Sequence, residues 1–299
     1  MTSLADALAA GPVVLDGGLA TQLEDAGHDL SSALWSARLL HDAPEAVVAA
    51  HAAFAAAGAQ VATTASYQAS VDGFVSVGVD RAEARRLLAS SVRLARDVRD
   101  ELAGDGVERW VAASIGPYGA VLADGSEYQG RYGLSAARLR DFHLPRLELL
   151  AAAGPDLLAI ETIPDADEAA VLVTALDGLG VPAWLSFTID GDRTRAGQPL
   201  TEAFAVAAGS AAVVAVGVNC CAPGDVGPAL AAARARTGRP GVAYPNRGET
   251  WDSRSGTWMG SGAYDAGAAT AWVDAGATYV GGCCQVGAAD ITALAAALR

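Results

Sequence analysis

Cysteine is scarce in this sequence, with four residues in 299. That is too few for a disulfide framework, so a small stapled extracellular fold is excluded and reduced thiols are expected. Basic residues are scarce as well: 20 Lys and Arg stand against 34 Asp and Glu, for a net charge of -14. Nucleic acid is therefore not an expected partner, because phosphate binding needs clustered cations. The one basic stretch, Arg85-Arg86 with Arg93, Arg96 and Arg99, is interleaved with acids on a helical pattern. No apolar run is long enough to span a bilayer, and Met1 to Ala10 lack the basic start and apolar centre of a secretory leader. The expected setting is cytoplasmic, with no membrane partner. No linker rich in Pro, Gly and Ser divides the chain, so one domain over residues 1–299 is expected.

What is present is apolar material in a regular order. Hydrophobic residues make up 52% of the chain and charged ones 18%, enough to build a large core. Short β-branched runs alternate with Ala- and Leu-rich stretches of helical period. The expected strands are 13–15, 60–63, 110–114, 157–160, 183–187, 213–218, 241–244 and 278–280. Helices are expected over 44–57, 80–102, 135–153, 165–176, 223–236, 263–275 and 288–298. In the second of these, Leu88, Val92, Ala95, Val98 and Leu102 form one apolar face. Gly58, Gly154, Gly238 and Gly276 stand where helices should stop. Eight strands with crossover helices predict an α/β fold, a single (β/α)8 TIM-type barrel. The stretch from Gly116 to Gly133 fits neither element and holds Tyr118, Asp124, Glu127, Tyr128, Arg131 and Tyr132. A polar, aromatic loop of that length is expected at the mouth, as a functional segment or lid.

Active-site groups of such barrels lie at the C-terminal ends of the strands. There the sequence places Asp16-Gly17-Gly18, Thr64 to Tyr67, Ser114, Glu161-Thr162, Asn219-Cys220, Pro245-Asn246 and Gly281-Gly282-Cys283-Cys284. Cys220, Cys283 and Cys284 would then meet near one axis, as three thiolates for one tetrahedral zinc with a fourth position left for substrate. Cys221, alternating away from Cys220, is assigned to the core. Neighbouring Cys283 and Cys284 can face one ion only if the backbone turns there, and Gly281-Gly282 are expected to supply that conformational freedom. A metal so rich in thiolate favours holding one more thiolate as a nucleophile, which points to S-alkylation. Asp16 and Glu161 suit a substrate ammonium group, with the Gly17 and Gly18 N–H groups turned to its carboxylate.

Several stretches in order carry a resemblance: Asp16 to Glu24, Leu34 to Ala37, Thr63 to Ala69, Ser114 to Ala120, Leu122 to Tyr128, Glu161 to Pro164, Val216 to Cys220, Tyr244 to Asn246 with Gly248-Glu249, and Gly281 to Cys284. Through them the chain resembles the homocysteine S-methyltransferases, and most of all the branch using S-methylmethionine or S-adenosylmethionine as donor. The resemblance implies a zinc enzyme that methylates homocysteine to methionine. It implies Cys220, Cys283 and Cys284 as ligands, Asp16 and Glu161 on the homocysteine amino group, and Gly17 on its carboxylate. Asn219 matches the residue that orients the reacting centre. Trp35 and Tyr67 match aromatics near the donor sulfonium, and Ser114 a residue of the pocket floor. Arg247 departs from the Ser that many relatives carry after Tyr-Pro-Asn, which bears on the donor pocket. Two alternatives stand beside this reading. One keeps fold and metal with a betaine or methylfolate donor, or with another thiol or selenol acceptor; the other is a zinc- or thiol-binding barrel without catalysis.

Overall fold

The computed structural model describes residues 4, 7–8, 11–31, 34–252 and 257–299. Most of Met1 to Ala10, including the segment read above for a leader, lies outside them. Eight strands pair in parallel: β1 (Val13–Val14), β2 (Val61–Thr63), β3 (Trp110–Ile115), β4 (Leu157–Ile163), β5 (Ala183–Phe187), β6 (Val213–Asn219), β7 (Gly241–Tyr244) and β8 (Ala277–Val280). The sheet closes where a parallel bridge joins Leu15 to Val61. Beside it the Gln60 N–H donates to the Val14 carbonyl at 2.7 Å and the Asp16 N–H to the Val61 carbonyl at 3.1 Å. Closure pairs every strand on both sides, which is why β1 is stable at two residues.

Strand alternation separates two apolar layers. Val13, Leu15, Val61, Trp110, Ala112, Leu157, Ala159, Trp184, Ala215, Val242, Tyr244 and Tyr279 pack together inside the barrel. Their sequence neighbours, such as Val111, Leu158, Leu185 and Val216, pack outward against the helices. The period of two then sets the next inward positions at the strand ends: Thr63, Ser114, Glu161, Ser186 and Asn219. A polar layer therefore caps the apolar interior where the chemistry is expected.

The outer helices are α1 (Pro44–Ala56), α2 (Arg81–Glu101), α3 (Ala136–Ala152), α4 (Ala166–Ala175), α5 (Leu200–Ala205), α6 (Val226–Thr237), α7 (Ala268–Asp274) and α8 (Ala288–Ala297). Asp80 caps α2 by accepting from the N–H groups of Ala82 and Glu83. The four glycine stops have φ of 104°, 76°, 65° and 107° at Gly58, Gly154, Gly238 and Gly276, left-handed as a helix end requires.

Three expectations differ from the structure. The crossover between β5 and β6 contains a short hairpin, Ile189–Asp190 with Arg193–Thr194, and then α5, which sequence reading missed. The helix expected from Ala263 begins only at Ala268. The stretch 116–133 contains two helical turns, Tyr118–Leu122 and a 3-10 turn Ser126–Tyr128. No helix among the described residues is long and apolar enough to cross a membrane.

Candidate metal and substrate site

The three expected thiols converge. The Cys220 Sγ lies 3.7 Å from that of Cys284, the Cys283 and Cys284 Sγ atoms are 3.9 Å apart, and all three atoms fall within 4.8 Å of one another. A tetrahedral ion with metal–sulfur bonds of about 2.3 Å holds its sulfurs about 3.8 Å apart, so the cluster already has the size of such a shell. All four cysteines are free thiols. Hydrogen bonds from the Cys283 and Cys284 thiols hold Cys220 well below the ordinary thiol range, while the same shared protons push Cys283 and Cys284 well above it. A bound cation would favour the thiolate form of all three.

The backbone that aims these sulfurs differs from expectation. Neither Gly281 nor Gly282 has a positive φ; the left-handed residues are Cys220 at 49° and Gln285 at 65°. The glycines are required for space. A Cβ on Gly281 would lie 2.6 Å from the Leu15 Cβ and 2.8 Å from the Asp16 carbonyl oxygen, and one on Gly282 would lie 2.1 Å from the Val286 Cγ1. The loop after β7 serves as a splint between the cysteines. The Cys220 N–H donates to the Tyr244 carbonyl, the Cys283 N–H to the Pro245 carbonyl and the Cys284 N–H to the Asn246 side chain, at 3.2, 2.8 and 3.2 Å. The Arg247 N–H returns a bond to the Cys284 carbonyl at 3.1 Å, while its guanidinium pairs with Glu249 at 2.9 Å. Cys221 packs in the outer apolar layer, the core position expected of it, although the left-handed turn at Cys220 and not regular strand alternation puts it there.

Asp16 and Glu161 are buried beside the cluster. Asp16 accepts from the Thr63 N–H at 2.6 Å and the Thr63 hydroxyl at 2.8 Å, yet burial pushes its carboxyl up to about 7. Burial likewise raises Glu161 to about 7, against opposing bonds from Ser114 and Tyr244. The Ser114 hydroxyl donates to Glu161 and is fully buried, so Ser114 acts through that carboxylate. The Gly18 N–H is spent on the Val286 carbonyl at 2.9 Å, whereas the Gly17 N–H has no acceptor among the described residues. A Cβ at Gly17 would meet that same carbonyl oxygen at 2.4 Å.

Asn219 does not point at the thiols. Its Oδ1 accepts from the Thr162 N–H and the Ser186 hydroxyl, and its Nδ2 donates to the Thr162 hydroxyl, each at 2.7 Å. Thr162 has φ of 57°, costly for a β-branched residue, and the pairing of β4 with β5 shifts register there. Asn219 therefore clamps the turn that presents Glu161.

Trp35 and Tyr67 meet edge to face with centroids 6.3 Å apart, at the mouth. Tyr67 is held by a residue that sequence reading missed. The buried Arg146 guanidinium donates to the carbonyls of Tyr67 and Ala69, each at 3.0 Å, to that of Gly116 at 3.2 Å and to that of Ser66 at 3.4 Å. Thr63, Asn246 and Tyr128 lie in stretches that the sequence singled out, but no individual role was expected of them. Tyr128 brings its hydroxyl to 3.4 Å from the Cys220 Sγ.

Fold and site together define a βα-barrel enzyme whose mouth gathers three thiols, suited to a metal, beside two buried carboxyls. The family model described as homocysteine S-methyltransferase matches residues 13–298. Homocysteine S-methyltransferase 4 of Zea mays is 43% identical over 97% of this chain and 90% of its own length. Homocysteine S-methyltransferase of Escherichia coli K12 is 43% identical over 95% of this chain and 94% of its own. The crystal structure of the E. coli homocysteine methyltransferase MmuM in metallated form superposes with a TM-score of 0.86 at 40% identity, covering 96% of each chain. The chain belongs to the homocysteine S-methyltransferase family and is a methyltransferase.

Proposed function

We propose that this chain transfers a methyl group from a sulfonium donor, S-methylmethionine or S-adenosylmethionine, to the thiolate of homocysteine, forming methionine, in one barrel domain over residues 1–299. Zinc is the proposed resident metal, with Cys220, Cys283 and Cys284 as its ligands. The observation that carries the reading is the three-sulfur cluster at tetrahedral spacing, flanked by two buried carboxyls that lack a cation. When bound, zinc keeps a fourth sulfur deprotonated and nucleophilic at neutral pH.

The chain's own residues do the rest by placement. Asp16 and Glu161 receive the homocysteine ammonium group, which replaces the protons they hold near neutrality. Gly17 offers its unpaired N–H to the carboxylate. Asn219 and Ser114 hold Glu161 in position, and Tyr67 with Trp35 presents aromatic surface to the donor cation. The acceptor sulfur would then lie in line with the donor's methyl carbon and leaving sulfur, in near-attack geometry. The decisive assay measures methionine from homocysteine with each sulfonium donor, before and after chelation. Methionine formation that needs metal is expected; a rate indifferent to chelation refutes the zinc assignment.

A second prediction concerns pH. In the ligand-free fold Asp16 and Glu161 keep their protons up to about 7, while unfolded carboxyls release theirs near 4. Between those values the folded state binds more protons at these two sites, so their contribution to stability is fully present below about pH 4 and is lost as pH rises to about 7, by at most about 4 kcal/mol per carboxyl. Denaturant titrations of the apoprotein at pH 5 and 8 test this. Asp16→Asn should flatten the fall, and an unchanged slope in that variant would refute the assignment.

A further inference from the structure

The 3-10 turn Ser126–Tyr128 follows Gly125, whose φ of 82° swings the chain back over the barrel mouth. It delivers two side chains. Tyr128 reaches the Cys220 sulfur, and Glu127 stands beside it, half-buried. The Glu127 Oε2 is shut off from solvent and accepts no hydrogen bond. No ion pair joins Glu127 to a cation among the described residues. Its carboxyl lies within electrostatic reach of the Cys220 sulfur and of Tyr67 and Tyr132. Burial pushes the carboxyl up to about 7, so an arriving cation would ionise it. Backbone N–H groups of Gly125 and Glu127 favour the charged carboxylate in part, but the buried Oε2 has neither a hydrogen bond nor a positive charge to stabilise it.

We infer that Glu127 is the donor-binding residue that pairs with the sulfonium centre of the methyl donor. The inference rests on the function proposed above and adds the charge partner of its second substrate. The chemistry fixes which kinetic parameter it governs. As the new S–CH3 bond forms on the homocysteine sulfur, the old bond breaks and its electron pair stays on the donor sulfur. The thiolate and the sulfonium both become neutral thioethers. A carboxylate at the donor sulfur therefore favours substrate over product, and its attraction fades toward the transition state. It strengthens donor binding, leaves the neutral product without that attraction, and does not raise the rate of the chemical step.

Glu127→Gln, nearly the same shape without the charge, should raise KM and Kd for the sulfonium donor by about tenfold or more while kcat is not lowered. KM for homocysteine and metal content should stay at wild-type values. The sharpest readout needs no turnover: calorimetric Kd values of S-methylmethionine against methionine, and of S-adenosylmethionine against S-adenosylhomocysteine. Wild type should prefer the sulfonium in at least one pair, and Glu127→Gln should bring that ratio toward one. A variant that keeps the wild-type ratio overturns the inference. So does a wild-type ratio near one in both pairs, which is measurable even if the variant does not fold. Absence of methyl transfer by wild type would instead strike the proposed function, because the binding preference is read separately.

Discussion

Cys220→Ala is expected to lose its metal and to lower methionine formation on the order of a thousandfold or more, because two thiolates cannot keep the shell that ionises the substrate sulfur. Metal analysis of the purified variant alongside the methyl-transfer assay checks both halves. Its sequence neighbour supplies the control. Cys221 lies in the outer apolar layer, so Cys221→Ala removes one buried sulfur atom and should cost about 1 kcal/mol of stability with metal and rate intact. Adjacent residues of the same type thus have opposite fates, and the left-handed φ of 49° at Cys220 is the reason. It breaks the strand alternation just past Asn219 and turns one thiol to the mouth while the next returns to the core. A Cys220→Ala protein with a full complement of metal and the wild-type rate would end the three-thiolate assignment.

The barrel was legible because its signal is redundant. Eight short apolar runs, most of them β-branched and each followed by a turn or helical stretch, leave few other ways to bury both faces of the strands. The thiol cluster was legible for the opposite reason, since four cysteines offer few combinations and three of them end strands. What escaped was structure made by tertiary contact. The helix Leu200–Ala205 is six residues long and follows Gly191, Gly197 and Pro199, too short for a periodic pattern to rise above the turn signals. Thr162 in a left-handed conformation contradicts its own propensity, and only the Asn219 amide from another strand makes it tenable. The reach of Tyr128 to Cys220 spans 92 residues of sequence. The long loop after β3 announces itself by composition, but where its turn lands does not.

Gly282→Ala separates the two explanations for the glycine pair. Gly282 has no positive φ, so if backbone conformation were all that mattered alanine would be tolerated there. The structure assigns it to space: an alanine Cβ would lie 2.1 Å from the Val286 Cγ1 and 2.5 Å from the Val286 Cβ, with Val286 fully buried and unable to yield. Overpacking of that kind costs about 1–3 kcal/mol, and here the displaced backbone is the segment that carries Cys283 and Cys284. Metal affinity should therefore fall at least about tenfold although every ligand is present, in the range seen when the support of a metal ligand is disturbed. The pair variant Gly282→Ala with Val286→Gly removes all three colliding atoms. It should regain much of the metal affinity while remaining less stable than wild type, because a buried valine has been emptied from the core. A double-mutant cycle on metal affinity is expected to show coupling of about 1–2 kcal/mol. Additive losses would mean that Gly282 acts through something other than its contact with Val286, and the geometry of the thiol turn would have to be sought in the left-handed residues Cys220 and Gln285 alone.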